Sequence, residues 1–116
     1  MNTSSITTHV LDTASGRPAA GIAVSLERFS DENGWQNVAS ARTDREGRVR
    51  DGLAPAGGLA AADYRLRFDT AAYFRAQELE GFYPEVIVTF SVRNASEHHH
   101  VPLLLSPFGY STYRGS

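Results

Sequence analysis

Ile22-Ala23-Val24-Ser25-Leu26-Glu27-Arg28-Phe29, followed by Ser30-Asp31-Glu32-Asn33-Gly34 and then Trp35 to Thr43, is the stretch that decides the fold. Ile22, Val24 and Leu26 fall on one face of an extended chain, and smaller or polar side chains fall on the other. That is the pattern of a half-buried strand. The polar run ending in Gly34 turns the chain back into a second β-rich run, making a hairpin. Run and turn alternate outward in both directions. Ser5 to Asp12 is rich in β-branched residues and ends in the turn cluster Ala14-Ser15-Gly16-Arg17-Pro18. Asp44-Arg45-Glu46-Gly47 is a second tight turn, with Gly47 suited to a positive φ. Pro55 to Ala62 is a Gly- and Ala-rich loop, and Asp63 to Asp69 alternates Tyr64, Leu66 and Phe68 with polar residues. Thr70 to Leu79 is the helix candidate, with Gly81 as its stop. Glu85 to Val92 and His98 to Ser106 complete the strands. The reading is an all-β sandwich with one short helix, a single domain spanning residues 1–116.

Composition narrows the chemistry. The net charge of −2 and the lack of a basic stripe argue against a nucleic-acid partner. All 11 basic residues are arginines, so no lysine is present for Schiff-base chemistry, and every cation is planar and permanently charged. Cysteine is absent, which removes thiol nucleophiles, disulfides and thiolate metal sites. Met1 to His9 has neither a charged start nor an apolar run, so a cytoplasmic location is expected, or a periplasmic one if a leader has been trimmed away. No run is long enough to cross a membrane.

Histidines are the candidate proton-transfer groups, since imidazole titrates near neutrality. In the late strand His98, His100, Pro102 and Leu104 share one face, while His99, Val101, Leu103 and Leu105 share the other. His98 and His100 therefore point together, about 7 Å apart. His9 shares a face with Thr7 and Leu11, opposite Ile6, Thr8 and Val10; polar neighbours on both sides leave open which face is inside. His9, His98 and His100 would suffice as three imidazole ligands for zinc, a reading set below acid–base work without a metal. The final run, Ser106 to Ser116, carries Tyr110, Tyr113, Arg114 and Ser116 directly after the apolar Val101 to Leu105. Such a run either seats in a pocket or completes a sheet.

Several strings, in order along nearly the whole chain, share one resemblance. His9-Val10-Leu11-Asp12 with Gly16-Arg17-Pro18-Ala19 opens the series, and Thr43-Asp44-Arg45-Glu46-Gly47-Arg48 follows. His98-His99-His100-Val101-Pro102-Leu103-Leu104-Leu105-Ser106 comes next, then Tyr113-Arg114-Gly115-Ser116. Together they resemble the transthyretin-related 5-hydroxyisourate hydrolases. His99 stands where that family usually has tyrosine, on the face away from the His98 and His100 pair.

The resemblance implies a transthyretin-like β-sandwich, a homotetramer with active sites at the dimer–dimer interface, and no cofactor. It implies a small-molecule substrate, 5-hydroxyisourate, whose ring opens by addition of water. On that reading His9 and His100 are the acid–base pair and Arg48 holds the substrate by parallel hydrogen bonds. Tyr113 and Ser116 close the pocket, with a Ser116 carboxylate orienting a histidine; His98 and Arg114 are further possibilities, Arg114 equally as a structural ion-pair partner. The rival reading is a non-catalytic small-ligand carrier of the same fold, as in vertebrate transthyretin. That carrier has lysine, glutamate and threonine where this chain has His9, Arg48 and His100.

Overall fold

The protein is described by a computed structural model covering residues 5–116. Met1 to Ser4, part of the stretch on which the leader reading rests, lie outside the described residues. The order is β1 (Ile6–Asp12), β2 (Arg17–Pro18), β3 (Ala23–Ser30), β4 (Gly34–Arg42), β5 (Arg48–Val49), β6 (Ala62–Phe68), α1 (Thr70–Ala76), β7 (Val86–Val92), β8 (His99–Ser106) and β9 (Gly109–Thr112). Two sheets form. One runs β2-β1-β8-β9 with β5 also on β1, and the other runs β4-β3-β6-β7. Within them β1 and β8 are parallel, and the remaining pairings are antiparallel.

Alternation builds the core. Ile6 and Val10 of β1, Val24 and Leu26 of β3, Tyr64, Leu66 and Phe68 of β6, and Leu103 and Leu105 of β8 are all buried between the sheets. Each such side chain contributes roughly 1.5–3 kcal/mol by leaving water. The Tyr64 hydroxyl, buried with its ring, donates to the Ala60 carbonyl at 2.9 Å and so escapes a desolvation penalty.

The helix is shorter than the sequence predicts. Asp69 caps it, accepting from the Ala72 N–H, and it ends at Ala76. The left-handed residue beyond it is Glu78, at φ 59, rather than Gly81. Gly81 is glycine for a different reason: a Cβ there would lie 2.6 Å from the Phe74 ring. Strand β9 and the two-residue β2 and β5 are further additions. They are too short and polar to show a period in sequence.

Candidate active site

The candidate site lies on the face of the five-stranded sheet turned away from the core. In β1, Ile6, Thr8 and Val10 point inward, so Thr7 and His9 point out. Thr8 tolerates burial because its hydroxyl donates to the Val101 carbonyl at 2.6 Å. The parallel pairing of β1 with β8 sets Thr7 opposite His100 and His9 opposite Pro102. Their alternation holds His98 and His100 outward with ring centroids 6.3 Å apart.

A turn brings in the arginine. The Asp44 carboxylate accepts the Glu46 and Arg48 N–H groups at 2.8 and 2.9 Å, and the Val10 N–H donates to the Gly47 carbonyl at 2.7 Å. Gly47 has φ 76, and a Cβ there would sit 2.5 Å from the Val10 oxygen, so only glycine fits. Arg48 thereby comes into register with His9.

The end of the chain closes the site from the other side. Strand β9 pairs with β8, the ladder lapses at Tyr113 and Arg114, and it resumes where the Gly115 N–H donates to the His100 carbonyl at 2.9 Å. Both alternatives for this run therefore hold: it extends the sheet, and its last residue reaches a cavity. That cavity, about 190 Å³, is lined by Thr7, Arg48, His98, His100 and Ser116 among others. Gly115 lies so close that a Cβ would be 2.5 Å from the His100 ring carbon Cδ2.

Burial and charge tune the histidines. His100 is held below the ordinary imidazole range chiefly by burial, then by the Arg48 guanidinium, with His98 and His9 adding to it. His9 is lowered by burial and then by Arg48, against a smaller opposing pull from the Glu46 backbone and Asp44. Both are thus neutral bases at neutral pH. Arg50, Arg65, Arg67 and Arg114 are tied to Glu46, Glu27, Glu85 and Glu97 respectively. Arg48 has no carboxylate partner among the described residues, which leaves its fork available to an anionic ligand.

Of the residues singled out in the sequence, Arg48, His98, His100 and Ser116 meet at the cavity, and His9 stands beside it on β1. Tyr113 and Arg114 do not line it. They lie along a crevice of about 210 Å³ that His99 also borders. Arg114 is in an ion pair there, its Nη2 3.2 Å from Glu97. His99 points inward at 4% exposure, and its Nδ1 has no hydrogen-bond partner among the described residues. Among the described residues no three histidine, cysteine, aspartate or glutamate side chains converge to hold a metal, and no helix is long and apolar enough to cross a membrane. A larger hollow of about 730 Å³ lies against the other sheet, but it carries no histidine and its Arg67 is paired with Glu85.

Sequence reasoning missed Thr7. Its hydroxyl lies 2.8 Å from His98 Nε2 and 2.8 Å from His100 Nδ1. The available signal was its position two residues before His9 on the same face; its partners depend on the register of two strands far apart in sequence.

The chain matches the model of the HIUase/Transthyretin family over residues 6–115. A 5-hydroxyisourate hydrolase of Salmonella dublin is 46% identical over 111 residues, covering 96% of this chain and 80% of that protein. The solved 5-hydroxyisourate hydrolase of Klebsiella pneumoniae superposes with a TM-score of 0.82 at 34% identity, covering 99% of this chain and 100% of that one. Sea bream transthyretin in complex with thyroxine superposes at 0.87 with 30% identity, covering 95% and 93%. A hydrolase and a hormone-bound protein thus fit the backbone about equally, and side chains must separate them. The family model and the relatives agree, and the chain belongs to the HIUase/transthyretin family.

Proposed function

We infer that the protein hydrolyses 5-hydroxyisourate to 2-oxo-4-hydroxy-4-carboxy-5-ureidoimidazoline, a step of urate breakdown. The observation that carries this reading is the meeting of Arg48, His98, His100 and Ser116 at one cavity, with His9 alongside. A carrier needs apolar contact there; proton-transfer groups beside a guanidinium with no carboxylate partner among the described residues serve a reaction. Arg48 holds the anionic, carbonyl-rich ring. A neutral imidazole, His100 or His9, takes a proton from water as the oxygen adds to a ring carbonyl. The same pair returns a proton to the nitrogen as the C–N bond opens. The Ser116 hydroxyl orients the substrate from the far wall. Tyr113 lies beside the cavity, so its expected role as a lid needs its ring to swing toward Ser116.

We place this chain in a homotetramer. Among the described residues strands β7 and β9 end their sheets with unpaired edges, and exposed Phe82, Tyr83 and Tyr110 cluster next to them, with Tyr83 and Tyr110 ring centroids 5.1 Å apart. Unpaired edges beside exposed aromatic rings favour association. The deciding experiment adds the protein to freshly generated 5-hydroxyisourate and follows its ultraviolet decay. Faster decay, lost in His100→Ala and Arg48→Ala, is expected. Decay at the spontaneous rate overturns the reading, and saturable thyroxine binding would then favour the carrier. Sedimentation of only monomer at micromolar concentration would overturn the tetramer.

A further inference from the structure

We propose that Thr7 is a proton-conducting positioning residue, whose hydroxyl links His98 to His100 so that His98 stores the proton His100 takes from water. The Thr7 hydroxyl sits 2.8 Å from a ring nitrogen of each histidine, yet it has a single proton. It can donate to only one of them, so the other ring must donate to its oxygen. With the Thr7 proton kept inside the link, two neutral arrangements follow. In the first, His100 Nδ1–H donates to Thr7 and Thr7 donates to His98 Nε2. His100 then presents a bare Nε2 lone pair, which has no side-chain hydrogen-bond partner among the described residues and faces the cavity. In the second, His98 Nε2–H donates to Thr7 and Thr7 donates to His100 Nδ1. His100 then presents an Nε2–H. The first is a base and the second an acid, with the same heavy atoms in place.

The two arrangements are the two halves of a hydrolytic cycle. His100 Nε2 accepts a proton from water while the hydroxide oxygen bonds to the carbonyl carbon. His100 Nδ1–H passes its proton to Thr7 Oγ1, and Thr7 passes its own to His98 Nε2. The positive charge now rests on His98, and His100 is neutral with a proton on Nε2. When the C–N bond breaks, that proton goes to the departing nitrogen. His98 Nε2 returns a proton through Thr7 to His100 Nδ1, restoring the starting state. One proton is taken from water and one is given to the leaving group.

The surroundings favour the transfer. His100 is half-buried, and Arg48 faces it from β5, His9 from β1 and Gly115 from the terminal run, so a lasting charge there is costly. His98 is exposed, so water solvates the same charge. Thr7 itself is only 7% exposed, which protects the link from competing water.

The inference rests on the reading that His100 transfers protons in the reaction, and the test separates the two. Steady-state turnover is measured for Thr7→Val, Thr7→Ser, His98→Phe, the Thr7→Val/His98→Phe double variant and His100→Ala, each checked for an unchanged melting midpoint. Thr7→Val keeps shape and removes the hydroxyl. It should lower kcat roughly ten- to a hundredfold, the scale of an acid–base contact, with KM shifted by less than about threefold. Thr7→Ser should recover most of the lost turnover. The double variant should be no slower than the slower single variant, because either change breaks the same link. Wild-type kcat in Thr7→Val, or losses that multiply in the double variant, overturns the inference. Undiminished turnover in His100→Ala overturns instead the reading beneath it.

Discussion

His99 shows how much one strand position decides. Its neighbours point out to the cavity, while it points in, buried with an Nδ1 that is unpaired among the described residues. A buried polar atom without a partner costs about 1–3 kcal/mol. His99→Phe removes that atom while keeping a ring, beside a crevice with room for it. It should raise stability to chemical denaturation by about 1 kcal/mol and leave turnover within about threefold. A loss of stability would show that the nitrogen does have a partner. Gly115 makes the complementary case. Gly115→Ala would drive a methyl into the His100 ring, 2.5 Å away. Turnover should fall at least about tenfold, as displacement of a proton-transfer group implies, while the melting midpoint barely moves. Equal turnover would mean that the terminal run yields more easily than the ring. The faces of β8 were legible because alternation is strict. The face of His9 was not, since Thr7 and Thr8 are both polar and both buried, and only the bonds from Thr7 to His98 and His100 mark the face that carries the site.

At the scale of elements, the long strands were readable from their period and the short ones were not. Strand β5 has two residues, and what matters is that a glycine turn holds it against β1. The helix ends at Ala76, short of the stop that Gly81 suggests, because the chain already turns left-handed at Glu78. The terminal run carries the most direct test of an element. Deleting Tyr113 to Ser116 removes the bridge to His100 and one wall of the cavity, yet leaves β9 paired with β8. Most activity should disappear, with the circular-dichroism spectrum of the sandwich retained. A truncated protein with full turnover would make the run a mere strand end.

Across the whole molecule, acid should weaken both stability and turnover. His9, His99 and His100 all sit below the ordinary imidazole value of 6.5, each chiefly through burial. Their neutral forms are therefore favoured in the folded state. As pH falls below 6.5 the unfolded chain gains these protons first, so stability declines from there down through the lowered folded values and is unaffected by these groups above 6.5. Urea midpoints measured between neutrality and pH 5 should drop accordingly and recover in His99→Phe in part. The acid limb of kcat/KM should lie below 6.5, since the free enzyme needs neutral bases. A limb above 6.5 would contradict the burial and Arg48 effects together. The resemblance and motif order made the family legible from sequence. The link between Thr7 and the two histidines was not, because it depends on how two strands align.

That alignment ties the site to the history of the chain. Thr7 and His100 are 93 positions apart and meet only through the parallel β1–β8 pair. All four strands of the β4-β3-β6-β7 sheet precede His98 in the chain, so during synthesis their residues are made before the site can be. Contacts this remote in sequence form late and slowly. Turnover is thus a receipt for a finished polypeptide: ribosome-stalled chains ending before residue 98 should be inert, and activity should switch on only after β8 clears the exit tunnel.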